Sequence, residues 1–384
     1  MGTLFPVAAV LAALVVGAVM LLLLGASPAE GFAAMIDGAF GGPRELADTV
    51  NKAVPLLLVG VGITIAFRAN VINIGGEGQI VLGALTATAL ALALPDWPAV
   101  VLLPLGLAAG LVGGAVWGAV PGALKAYFGV NEILSTIMLN IVAVQGMNYL
   151  LRGPMIDPAE IESGSRIPQT MRLPPATDLP VLVPDTRLNL GAVIAVAAAA
   201  VVYVFLWRTT YGYRIRAVGL NPFASRYAGI DVKRSTVVAL TLSGALCGLA
   251  GAILVFGSES HRMVTDGSTT GFTGSAGFNG IVAALFGGLH PIGTIPASFL
   301  FGALLVGANR LQRVTQVPSA LVIALNGLVV VFVVSSAIWK RRLEQRAQLE
   351  AVQTGDQAAQ TSLPGDVAPA AADPPGHESD TDDG

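Results

Sequence analysis

The chain has few of the side chains that most enzyme chemistry requires. One cysteine, Cys247, stands in 384 residues, so no disulfide can close within it. Its setting, LSGALCGLAG, reads as small-residue helix packing rather than redox chemistry. Three histidines, His261, His290 and His377, are too scattered for a metal site, and there is neither an H-E-x-x-H pair nor a cysteine cluster. No G-x-x-x-x-G-K-S/T segment occurs, so there is no P-loop to cradle ATP. Ser243 precedes a glycine but lacks the G-x-S-G setting of an intramembrane serine protease. These absences argue against an enzyme. Only 12% of residues are charged, which excludes a water-soluble domain of this length.

What remains is apolar: 54% of residues are hydrophobic and 46 are glycine. A hydrocarbon core about 30 Å thick needs about 20 helical residues to cross it. Runs near that length fall at 4–24, 53–67, 80–94, 99–124, 131–151, 190–206, 236–257, 277–289, 295–310 and 317–339, the eighth being short. They predict an all-α polytopic membrane protein of about ten transmembrane helices. The first run has no basic segment before it and is read as a retained span, not a cleaved signal peptide. Residues 25–52, with Glu30, Asp37, Glu45 and Asp48, are expected to form an outside loop.

Charge sets the orientation. The stretch 207–236 carries Arg208, Arg214, Arg216, Arg226, Lys233 and Arg234 against one acid, Asp231, and the positive-inside rule makes it cytoplasmic. Lys340, Arg341 and Arg342 close the last span on the same side. Residues 152–189 balance four arginines with five acids and belong outside. Ten crossings put both termini in the cytoplasm and give two inverted five-helix halves. The glycine-rich break RANVINIGGEGQ then has a weak counterpart in GFTGSAGFNG, at 271–280. Residues 1–340 make the transmembrane domain. The acidic stretch 341–384, rich in Ala and Pro, is expected to be a disordered cytoplasmic tail.

Three features call for a reason. Within the basic loop, Asn221 can cap a helix that starts at Pro222 and ends at Gly229, about two turns in all. Phe223 and Tyr227 would share its face, with Arg226 beside them. Such a helix either docks on a partner or lies in the headgroup layer. In the fourth span glycine recurs at 106, 110, 114, 118 and 122, a row that lets a neighbouring backbone approach closely.

The polar groups near the membrane are Asn73, Glu77 and Gln79 at the first break, and a stripe of Glu132, Thr136 and Asn140 on the fifth span, continued by Asn148. Glu77 can line a passage or cap a helix. The stripe can face a permeation route or bond neighbouring spans. Asn279, Asn309 and Asn326 are weaker candidates of the same kind.

Four segments, NIGGEGQ, NEILSTIMLN, GLNPFASRYAGI and GFNGIVAALFGGLHPIG, in this order, resemble the membrane-spanning permease of ABC importers for simple sugars and nucleosides. This belongs to the wider group that includes ribose and branched-chain amino acid permeases. The likeness covers roughly residues 50–340, and NEILSTIMLN is most similar to the nucleoside branch. The resemblance implies a permease subunit in the cell membrane that moves a nucleoside or simple sugar inward. It implies a second permease, with a homologue preferred to a copy, two cytoplasmic ABC ATPase subunits and an extracytoplasmic solute-binding protein, and no nucleic acid. ATP and Mg would act on the ATPase, with no cofactor on this chain. The helix of Asn221, Pro222, Phe223, Arg226, Tyr227 and Gly229 would be the coupling helix. Asn73, Glu77, Gln79, Glu132, Thr136, Asn140 and Asn279 are the candidates for the pathway. An ion-coupled secondary transporter of a small polar solute is the competing reading, since inverted halves with glycine breaks occur there too.

Overall fold

A chain removed from water must satisfy its backbone hydrogen bonds internally, and each apolar run does so as a helix. The computed structural model describes residues 15–268 and 271–318, with 324, 327, 328 and 331 beyond them. Asn326, most of the predicted tenth span, residues 4–14 of the predicted first span and the tail 341–384 lie outside the described residues.

In chain order the helices are α1 (Val15–Leu23), α2 (Pro28–Phe40), α3 (Pro43–Arg68), α4 (Gly76–Ala93), α5 (Ala99–Phe128), α6 (Glu132–Arg152), α7 (Pro158–Glu162), α8 (Gly191–Arg208), α9 (Thr210–Leu220), α10 (Pro222–Tyr227), α11 (Val232–Phe256), α12 (Ala276–Phe286) and α13 (Pro291–Thr315). Seven of them are long and apolar enough to cross a membrane, and α1 with α2, bent by 120°, is an eighth candidate. Among the described residues β structure amounts to two isolated bridges. The protein is an all-α polytopic membrane protein.

Three expectations need correction. The loop expected over 25–52 contains α2 and the first ten residues of α3. Ser27 caps α2, Pro28 and Pro43 begin the two helices, and Glu30 and Glu45 sit in first turns, where the helix dipole favours a carboxylate. Two of the four acids mark helix starts, and Asp37 and Asp48 lie farther along the same helices, not in a loop. The predicted eighth span is α12, only 11 residues or about 16 Å, half the thickness of a hydrocarbon core. The basic loop holds two helices, α9 and α10, where only the second was foreseen.

The centre of the fold is α3 and α11, whose most apolar stretches are 78% and 72% buried inside the chain, against 28% for α5 and α8. The glycine row of α5 faces α11. All five glycines are buried, and a methyl added at Gly118 would lie 2.5 Å from the Leu240 carbonyl oxygen. One at Gly110 would lie 2.6 Å from Ala252 Cβ, and one at Gly106 2.6 Å from the Phe256 ring. The two helices run antiparallel with their backbones in contact, as small residues at every fourth position allow.

Candidate functional site

The site grows out of two interrupted spans. After α3 ends at Arg68 the chain turns through Asn70 (φ 56°) and runs back without helical structure before α4 begins at Gly76. That start lies beside Val59: a methyl on Gly76 would be 3.5 Å from Val59 Cγ1 and 3.3 Å from Gly277 Cα. α12 begins at the same level, and a methyl on Gly60 would be 3.1 Å from the Gly280 carbonyl. From there α12 runs parallel to α3, toward Arg68, which donates to the Leu289 carbonyl at 2.8 and 3.1 Å. α4 runs the opposite way, packing on Gly248 and Gly251 of α11. The two helices therefore start N-terminus beside N-terminus within the bundle.

A carboxylate sits between these two positive ends, as the dipoles require. Glu77, in the first turn of α4, is 1% exposed, and its Oε1 accepts from Phe278 N at 3.2 Å. It is a helix cap, but for α12 rather than for its own helix. Asn73 donates to Gln79 Oε1 at 3.0 Å and to Ser243 Oγ at 2.9 Å, while its own oxygen accepts from Gly75 N at 2.9 Å. Asn140 of α6 accepts from Gly78 N at 2.8 Å and donates to the Ile74 carbonyl at 2.9 Å. Thr136 packs against Gly75, where a methyl would lie 3.2 Å from its Cβ.

Asn73, Glu77, Gln79, Thr136 and Asn140 thus form one buried cluster around the non-helical backbone of 69–75 and the first turn of α4. The stripe on α6 turns inward, and its amide replaces the hydrogen bonds that the broken helix cannot make. Glu132 lies outside this cluster, at the start of α6, in a 2.6 Å ion pair with Lys125 at the end of α5. Asn148, at the other end of α6, accepts from Thr265 Oγ1 at 2.7 Å. Asn279 is half-buried one residue beyond Phe278, and Asn309 is exposed on α13.

The basic loop forms a second feature. Asn221 Oδ1 accepts from Phe223 N and Ala224 N, each at 3.0 Å. Gly229 (φ 76°) ends α10 in the left-handed region, and Ile230 N reaches back to the Ser225 carbonyl at 2.9 Å. Ser225 is buried on the face toward the bundle; on the other, Phe223 is 75% and Tyr227 95% exposed. Both ends of this six-residue helix are capped, so it holds two aromatics out from the surface.

Lys52 escaped the sequence reading. It is half-buried in α3, lines a cavity of about 440 Å³ with Asn51, Asn189 and Asn309, and takes part in no ion pair among the described residues. Starting the second span at Ala53 left it in a supposed loop; a lysine inside a 26-residue apolar helix would have been the signal. No group of three or more His, Cys, Asp or Glu residues able to hold a metal occurs among the described residues.

Spans of this kind, a buried junction where two helices start N-terminus beside N-terminus and an exposed helix between spans are the features of a transport permease. Residues 46–334 match the family model described as the branched-chain amino acid transport system permease component, and the chain belongs to that family. It is 35% identical over 333 residues to the guanosine ABC transporter permease protein NupP of Bacillus subtilis, covering 87% of this chain and 93% of that one. To the glucose ABC transporter permease protein TsgB13 of Haloferax volcanii it is 33% identical, over 88% of each chain. To the nucleoside ABC transporter permease protein NupB of Lactococcus lactis it is 30% identical, over 86% of this chain and 90% of that one. No solved structure matches. The chain is a multi-pass membrane permease of the ABC type, not an enzyme; membership implies association with ATPase and solute-binding components.

Proposed function

We propose that this permease carries a nucleoside, or failing that a simple sugar, into the cytoplasm, driven by ATPase subunits that dock on α10. The observation that carries this reading is the pair Phe223 and Tyr227, exposed on a helix capped at both ends. Two aromatics held in water gain about 1.5–3 kcal/mol each when a partner buries them. α9 and α10 bear Arg214, Arg216 and Arg226, so this end is cytoplasmic. ATP and Mg act on the docked subunit, and this chain needs no cofactor of its own. The long loop 153–190 and the segment 257–268, joined by the 2.9 Å Arg262–Asp157 pair, face the solute-binding protein on the other side. A second permease, homologous to this one, completes the passage.

Relatives named for guanosine and nucleoside support the nucleoside assignment, and the one named for glucose keeps sugars in view. In this passage Asn73, Glu77, Gln79, Thr136 and Asn140 hold the moving break, and Asn279 faces the solute. Glu132, paired with Lys125, anchors the α5–α6 turn. Of the two acids an ion-coupled transporter could use, Glu132 is paired with Lys125, whereas Glu77 caps α12 through Oε1 and keeps its Oε2 buried without a hydrogen bond, so the energy source of uptake decides between the two readings.

The test is co-purification from membranes. The ATPase should accompany the wild type and be lost from the Phe223→Ala/Tyr227→Ala double variant. Uptake of guanosine against glucose, in vesicles loaded with ATP, then ranks the substrates. Uptake that follows an ion gradient without ATP would overturn the reading.

A further inference from the structure

We propose that Trp207 is a positioning residue for transport, a pivot through which displacement of α10 reaches both α4 and α12. This rests on α10 being the ATPase contact. Trp207 lies in the last turn of α8, and four side chains, three from elsewhere in the chain and one a turn away, close on its ring. Arg216 of α9 lies 5.6 Å from the ring centroid and Arg68, the last residue of α3, 5.2 Å. His290, which begins α13, is 4.8 Å away and Tyr203 5.5 Å, and those two rings are themselves 5.4 Å apart.

The partners matter because of what each is attached to. Arg216 sits one and a half turns before α10, and its Nε is buried without a hydrogen bond, so the indole face is its packing partner. Arg68 is the last helical residue before the break that leads to α4. His290 follows the turn that ends α12, where Gly288 (φ 70°) and Leu289 (φ 53°) are both left-handed. A side chain with a Cβ is disfavoured in that region, and the two bonds from Arg68 to the Leu289 carbonyl hold it there. Gly219 lies against the Arg68 carbonyl with no room for a side chain, so the arm bears on α3 by backbone as well.

A push on α10 is therefore passed through Arg216 to the indole. From there it goes to Arg68 and the α4 break on one side, and to His290 and the α12 turn on the other. The two helices whose N-termini meet at Glu77 are both tied to this one stack, α4 through the break that precedes its N-terminus and α12 through the turn that follows its C-terminus. Both guanidinium groups lie within the roughly 6 Å reach of a cation–π contact, so the indole is the group that the two arms share.

The test uses the complete importer, permease with its ATPase and solute-binding protein, in liposomes. Three quantities are read: ATPase recovered with the permease, ATP hydrolysis stimulated by the loaded binding protein, and solute moved per ATP. Trp207→Leu should retain the ATPase yet lose about tenfold in solute moved per ATP. Trp207→Phe, which keeps a ring for both guanidinium groups, should recover most of that loss. Arg216→Gln should fall between them and serves if Trp207→Leu gives no folded protein. Wild-type coupling in Trp207→Leu and Arg216→Gln, or equal losses in the Leu and Phe variants, would overturn the proposal. So would loss of the ATPase from Trp207→Leu, which would make the ring a mere support of the arm. Failure of the α10 reading shows separately, as an ATPase that still accompanies the Phe223→Ala/Tyr227→Ala permease.

Discussion

The α5–α11 seam and the junction of α4 with α12 lie on neighbouring sides of the same helix, α11, and are held by opposite means. The seam is glycine against glycine: Gly110, Gly114 and Gly118 meet Gly244 and Gly248, leaving no space for a methyl and no polar side chain to exchange. The junction is amide, hydroxyl and carboxylate around an irregular backbone, with Asn73, Asn140 and Glu77 supplying directional bonds. Close packing has one geometry and resists deformation. A hydrogen-bonded junction can trade partners, because each lost bond can be remade with another group nearby. The seam is the frame and the junction the part free to move.

The largest effect that would break this contrast is at the seam. Gly114→Leu should abolish folded protein, since overpacking costs about 1–3 kcal/mol even where neighbouring side chains can shift and here only backbone stands opposite. The measurement is recovery of a monodisperse peak in detergent. Near-normal recovery would show that the seam yields and that the comparison is wrong.

At the junction the losses should be smaller and fall on transport first. Glu77→Ala removes the cap of α12 and leaves buried donors unmet, at about 1–3 kcal/mol, with a lower melting temperature and little uptake. Glu77→Gln keeps an acceptor for Phe278 N, so stability should stay near wild type while uptake falls. Equal melting temperatures for the two variants would remove Glu77 from the junction. Asn140→Ala frees both Gly78 N and the Ile74 carbonyl, and membrane-protein bonds of this kind are worth about 0.6 kcal/mol each. Its melting temperature should fall less than that of Glu77→Ala, and hydrogen exchange should quicken at 74–78 before it does anywhere in α5.

How far these two regions could be read from the residues differs in the same way. The glycine row of α5 was plain, because a period of four on a helix leaves one side without Cβ atoms and nothing else has to be known. The caps of α10 were equally plain, since Asn221, Pro222 and Gly229 act on their own neighbours. The junction was visible only as a list of polar residues. That Glu77 would cap a helix 201 residues away depends on where the chain places α12, and no local pattern encodes that. The inward turn of Asn140 had the same cause: periodicity gives the face of a helix but not its neighbour. α2 and α9 were missed because their acids and arginines read as loop when their caps and small buried residues were overlooked.

The sharpest comparison uses adjacent residues. Ser243 accepts from Asn73 at 2.9 Å, and Gly244, the next residue of α11, faces the seam against Gly114 and Gly118. Ser243→Ala removes one hydroxyl from the junction, and Asn73 keeps its second bond, to Gln79. The cost should be about 0.6 kcal/mol, a shift of the melting temperature close to the limit of detection. Gly244→Ala adds one methyl where the Gly114 carbonyl already stands, and should cost several times more. Two changes of one heavy atom, on adjacent residues, then differ because one helix serves a frame on one side and a movable contact on the other. If Ser243→Ala destabilises as much as Gly244→Ala, the junction is as fixed as the seam, and the moving part must be sought elsewhere in the fold.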